Sequence, residues 1–193
     1  MRIVQNLDFS DISIAGRFAY ANCCIEEYLT EQGESLEKWS IILDWLWSFS
    51  EQQDARGYWY DLANRFPDAI LESDTYQPVN WLGQKDVGTD VSESEWNALR
   101  KLYTSSQSTQ FINQVMDRMI AICGVNLDGL TEKADLLHIT EKDLIPLFTK
   151  NLKMLPDIEA FRIFSISRDV WDRFHTRDEI RLKFLENPDF QRK

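Results

Sequence analysis

Residues 11–33 read DISIAGRFAYANCCIEEYLTEQG, and their apolar spacing predicts a long amphipathic helix. Apolar side chains recur at steps of three and four residues, which places them on one face of an α-helix. They are Ile14, Phe18, Ala21, Ile25 and Leu29. The predicted helix runs from Asp11 to Gln32, and Gly33 follows as its C-terminal cap.

Capping residues and helix breakers divide the rest of the chain into further helices. In the segment from Leu36 to Gln52 the polar residues form one narrow stripe, so we expect this helix to be covered on most sides. Further helices are predicted from Asp54 with a break at Pro67, from Ser92, over Ser108–Cys123, over Thr140–Asn151, from Pro156 to about Ile166, from Ser167, and over Thr176–Glu186. The fold class is therefore predicted to be all-α: one domain over residues 1–193, a bundle of seven to nine helices with a long loop around residues 73–90.

Composition narrows the functional classes. A chain of 193 residues with 44% apolar content is long enough to bury one core. The net charge of −11 argues against nonspecific nucleic-acid binding and against anionic membrane surfaces, because both need an excess of Lys and Arg. The first residues lack the apolar segment of a secretory signal, and no run reaches the length of a membrane-spanning helix. A cytoplasmic protein is therefore expected.

The chemical motifs are few. Asp135 with His138, and Asp172 with His175, are two Asp-x-x-His pairs, which resemble part of the ligand set of di-iron helical bundles. Aspartate reaches less far than the glutamate normally used there, and the full set needs two further carboxylates. We predict no catalytic residues, no metal and no cofactor. The alternative function is a helical enzyme or a small-ligand or metal-binding protein, and these four residues would form its site.

Acidic and aromatic residues are concentrated in residues 39–81, which hold five of the seven Trp and seven acids but only two bases. One interpretation is a Trp-rich core helix with a solvated polar face. The other is an acidic, aromatic surface that binds a basic partner protein, because aromatic anchors supply interface energy and acidic fields speed association with cations. The candidate partner-binding residues are Asp44, Glu51, Asp54, Tyr58, Tyr60, Asp61, Asp68, Glu72 and Asp74.

The Trp-rich helices between Glu37-Lys38-Trp39 and Trp59-Tyr60-Asp61-Leu62 resemble small helical immunity-type proteins of bacterial toxin systems. An uncharacterised bacterial helical family would look the same. The resemblance implies a cytoplasmic protein that blocks a basic toxin, commonly a nuclease, by covering its active site with carboxylates. The predicted function is thus an acidic protein-binding module of the immunity or inhibitor class rather than an enzyme. A structural homo-oligomer, joined through the Leu36–Phe49 helix, is the second alternative.

Overall fold

The structure is a computed structural model, and it describes residues 7–51, 55–76, 91–127, 139–164 and 177–179. These residues contain helices and turns but no strand, so the all-α prediction is confirmed. The helices are α1 (Ile14–Glu31), α2 (Ser40–Glu51), α3 (Ala55–Ala63), α4 (Pro67–Leu71), α5 (Glu93–Ser105), α6 (Thr109–Leu127) and α7 (Ile145–Asn151). A π-helical segment (Ile139–Leu144) precedes α7, a 3₁₀ helix (Ile158–Phe164) follows it, and residues 177–179 form a helical turn.

The ends of α1 follow from local chemistry. The hydroxyl of Ser13 accepts a hydrogen bond from the Gly16 amide at 3.2 Å, so the helix begins just after Ser13 rather than at Asp11. Gln32 is the C-cap, and Gly33 has φ +72°, the left-handed conformation that ends helices. The predicted glycine cap is therefore confirmed.

The first half of α1 lies at the centre of the protein. Nine consecutive residues from Ile14 to Asn22 are buried, so this half is covered on all sides and not on one face alone. α1 contacts α2, α6 and the 3₁₀ helix. The buried guanidinium of Arg17 donates to the Phe9 carbonyl at 3.2 Å, and burial lowers its pKa. The Asn22 amide donates to the Leu46 carbonyl at 3.1 Å and so joins α1 to α2.

α2 confirms the predicted narrow polar stripe, because Asp44 is exposed while large apolar side chains on the other sides are buried. The buried ones are Trp39, Ile42, Leu43, Leu46, Trp47 and Phe49. The predicted start at Leu36 was wrong by one turn. The amides of Trp39 and Ser40 bond three residues back, which makes a tight turn before the α-helix begins at Ser40.

Two predicted helix boundaries are confirmed. Pro67 starts α4, and the Ser92 hydroxyl caps α5 by accepting a hydrogen bond from the Glu95 amide at 3.2 Å. The predicted end of α6 at Cys123, just before Gly124, was wrong, because the helix continues to Leu127. A glycine ends a helix when it takes a positive φ, and in the described ranges only Gly33 does so.

The predicted helix Thr140–Asn151 begins with a π-helical segment, and its α-helical part starts only at Ile145. Pro146 explains the difference, because it has no amide hydrogen for the α-helical bond to residue 142 and its ring would crowd that carbonyl. The segment predicted after Pro156 is a 3₁₀ helix.

Some predictions lie outside the described residues: the helix start at Ser167, most of the helix Thr176–Glu186, and residues 77–90 of the predicted loop. Among the helices that are described, none combines the length and the apolarity needed to cross a bilayer.

Candidate functional site

Two carboxylates, Asp68 and Asp117, interact where α4 packs against α6, and Glu72 lies at the C-terminal end of α4. We call these three residues the α4 acidic patch. Asp68 lies in the first turn of α4, where the helix dipole favours a negative charge, and Glu72 follows one turn later. Both are exposed. On α6, Asn113 donates from Nδ2 to Oδ1 of Asp68 at 2.6 Å, and Asp117 lies one turn beyond Asn113.

The pKa of Asp117 reflects its burial and the charge of its neighbour Asp68. Partial burial and the negative charge of Asp68 raise the pKa of the Asp117 carboxyl, and Arg118 opposes the rise. Asp68 and Glu72 are four residues apart, so like charges also face each other along α4. A cation placed between these carboxylates would relieve the repulsion.

Asp74, another predicted contact residue, is paired within the chain. Its carboxylate lies 2.6 Å from Nη2 of Arg100 although its side chain is 98% exposed. Arg100 also donates to the carbonyls of Ile70 and Ser73, at the end of α4, and its guanidinium lies 5.1 Å from the Trp96 ring centre. Arg100 thus neutralises Asp74, and its bond to Ile70 satisfies a carbonyl at the end of α4.

The predicted anchors of α3 take part in internal contacts. The Tyr58 ring lies 5.0 Å from the Trp45 ring, and the guanidinium of Arg65 lies 3.7 Å from the same Trp45 ring. The Tyr60 ring meets Trp59 edge-on at 4.7 Å. Both tyrosines are half-buried, so they present only part of each ring to a partner.

Asp44 lies at a different place, where α2 meets α1 and the helical turn at residues 177–179. Arg177 forms ion pairs with Glu26 of α1 and with Asp44, the second at 3.7 Å. The indole nitrogen of Trp47 donates to Oε1 of Glu26 at 2.7 Å. We call Glu26, Asp44 and Trp47 the arginine site.

The structure therefore divides the nine predicted partner-binding residues among several places. Asp68 and Glu72 belong to the α4 acidic patch, and Asp44 lies in the arginine site. Asp61 is half-buried, and its backbone carbonyl accepts from Arg65 at 2.5 Å. The side chain of Glu51 and the whole of Asp54 lie outside the described residues.

Sequence reasoning missed Asp117 and Glu26, because each meets its partner only through the fold. The four alternative metal ligands, Asp135, His138, Asp172 and His175, lie outside the described residues. Within the part of the chain that is described, no three side chains of His, Cys, Asp or Glu are grouped to hold a metal ion. No protein-family model, curated protein or solved structure matches the chain.

Proposed function

We propose that this chain is an acidic protein-binding module of the immunity or inhibitor class, which neutralises a basic partner protein in the cytoplasm. The α4 acidic patch is the observation that carries this proposal. Asp68 and Glu72 are exposed, and partial burial and the negative charge of Asp68 raise the pKa of the half-buried Asp117. The second of these causes is repulsion between two carboxylates. Lys or Arg side chains of a partner would remove that repulsion on binding, so part of the binding energy is already stored in the free chain.

The rest of the molecule supports the same kind of partner. The net charge of −11 creates a negative field that speeds the approach of a basic protein and repels nucleic acid. α3 and α4 both pack on α6, so the half-buried Tyr58 and Tyr60 belong to a helix next to the one that carries Asp117. Aromatic rings at such positions supply apolar contact beside the charged one.

The test is capture of a partner from a lysate of the native host by the immobilised chain, at low and at high salt. We expect the wild type to hold one basic protein that high salt releases. The triple variant Asp68→Asn, Glu72→Gln, Asp117→Asn should bind the same protein, once purified, at least about tenfold more weakly, because three charge contacts are lost.

A matched control removes three exposed carboxylates from other segments: Glu37→Gln, Asp143→Asn, Asp178→Asn. It changes the net charge by the same amount, so it should retain most of the affinity if the patch is the contact. Equal losses in both triple variants would show that net charge alone attracts the partner. Undiminished binding by the patch variant would contradict the proposal.

A further inference from the structure

The arginine site is built by two helices. Glu26 comes from α1, while Asp44 and Trp47 lie three residues apart on α2 and therefore on one face. Trp47 is buried, and its indole hydrogen bond fixes the orientation of the Glu26 carboxylate. The result is a preorganised carboxylate beside an indole ring, with a second carboxylate at the rim.

Arg177 shows which chemical group fits this arrangement. Its guanidinium pairs with both carboxylates and lies 5.9 Å from the centre of the Trp47 ring. A planar guanidinium can donate to two carboxylates while it interacts with an aromatic ring, whereas a lysine ammonium is a compact point charge. We therefore expect this site to bind arginine more tightly than lysine.

The same combination of arginine, tryptophan and carboxylate occurs twice more among the described residues. Arg65 lies over Trp45 and pairs with Glu95, and Arg100 lies near Trp96 and pairs with Asp74. Each of those arginines also donates to backbone carbonyls. The chain thus uses this combination repeatedly to hold an arginine.

The Arg177 set differs because two carboxylates face one arginine. The Asp44 side chain is 68% exposed, so this carboxylate can be reached from solvent even while Arg177 is in place. The negative charge of the exposed Asp44 attracts cations from solvent. An incoming arginine can thus pair first with Asp44 and then replace Arg177 at Glu26.

We propose that Glu26, Asp44 and Trp47 form a binding site for an arginine side chain, which Arg177 fills in the free chain and an arginine of the basic partner fills in the complex. The partner in this inference rests on the proposed function, whereas the site can be tested without any partner. Arg177 then acts as an internal competitor, and it lowers the affinity for the partner by the fraction of time that the site is closed.

The experiment is a titration with N-acetyl-arginine amide, followed through the indole N–H signal of Trp47 in an NMR spectrum and assigned with Trp47→Phe. We expect the Arg177→Ala variant to bind this probe at least about tenfold more tightly than the wild type, because the internal competitor is gone. N-acetyl-lysine amide should bind the variant more weakly. Adding Glu26→Gln and Asp44→Asn to Arg177→Ala should abolish the response.

Three results would overturn the proposal: an unmoved Trp47 signal in Arg177→Ala, equal binding of the lysine probe, or a response that survives loss of both carboxylates. Arg177→Gln serves in place of Arg177→Ala if the alanine variant does not fold. If neither folds, the wild type decides, since excess arginine probe must still shift the Trp47 signal. The patch variant with Asp68, Glu72 and Asp117 replaced keeps the arginine site, so its response to the probe is independent of partner capture.

Discussion

Arg65 and Arg177 contact the same kinds of groups in two regions of the molecule, and they differ in how completely the protein surrounds them. Each guanidinium pairs with a glutamate and lies near a tryptophan ring. The Arg65 side chain is only 3% exposed, whereas that of Arg177 is 25% exposed. The cation–ring distance is 3.7 Å for Arg65 and 5.9 Å for Arg177.

Arg65 is also fixed through its backbone. Its carbonyl accepts a hydrogen bond from the Tyr103 hydroxyl at 2.7 Å, and burial raises the pKa of Tyr103, so the hydroxyl stays protonated and keeps donating. Arg65, in the turn between α3 and α4, therefore joins that turn to α5 through its side chain and its main chain. Where these contacts are buried, as at Arg65, they link two parts of the fold. Where they reach solvent, as at Arg177, they leave room for the exchange proposed above.

The largest effect should come from Arg65→Ala, which leaves Glu95 without its buried partner and uncovers one side of Trp45. We expect the free energy of unfolding to fall by about 3 kcal/mol, as for other broken buried ion pairs. Urea unfolding at neutral pH measures it. Arg65→Lys should lose less, since the charge is kept while the second hydrogen bond and the ring stacking are lost. If Arg65→Ala lowers the free energy of unfolding by less than about 1 kcal/mol, Arg65 stabilises the fold no more than Arg177 is expected to.

Arg177→Ala should cost less, about 1 kcal/mol, because the Arg177 side chain is already 25% exposed against 3% for Arg65, and Glu26 keeps its hydrogen bond from Trp47. The same urea experiment applies, with Arg177→Ala and Glu26→Gln combined in a double-mutant cycle. We expect the two changes to be non-additive, since they remove one shared contact. A cost equal to that of Arg65→Ala would identify Arg177 as a structural residue and would contradict its exchange for a partner's arginine.

Much of the fold could be predicted because helix ends depend on nearby residues. Gly33, Pro67 and Ser92 each act within one or two turns, and all three end or begin a helix as predicted. The predicted start of α1 is Asp11, although Ser13 is the residue that caps it. The errors arose where local signals compete. Gly124 can end a helix or continue one, and tertiary packing decides between the two.

The candidate site could be predicted less well, because its geometry depends on contacts between distant parts of the chain. The acidic character of the region around α4 was visible in the sequence. Asp117, however, meets Asp68 only because α6 packs beside α4, and Arg177 meets Glu26 across 151 residues. Arg65 and Trp45 meet in the same way through the packing of α2 on α3. No spacing rule along the sequence links such pairs.

The smallest change in the free energy of unfolding is expected at Asp117. Its carboxylate lies near another carboxylate, whereas Glu95 and Glu26 each pair with an arginine that lies near a tryptophan ring. The pKa of Asp117 is raised in the folded state above the ordinary value of 3.8, so the folded chain binds the proton more tightly than the unfolded chain. This contribution to stability is present below that ordinary value and is lost as the pH rises through the folded-state pKa. Asp117→Asn should therefore raise the free energy of unfolding by about 0.5 kcal/mol at pH 7.

The gain from Asp117→Asn should disappear as the pH falls below the ordinary value of 3.8, where the wild-type carboxyl is protonated in both states. Urea unfolding of the wild type and the variant at a series of pH values measures the difference directly. Added salt should shrink the gain at neutral pH, because part of it is repulsion between Asp68 and Asp117. Asp143→Asn, which removes an exposed carboxylate from the π-helical segment, is the control. A gain that is independent of both pH and salt would mean that Asp68 and Asp117 do not repel each other. A basic partner would then relieve no repulsion when it binds the α4 acidic patch.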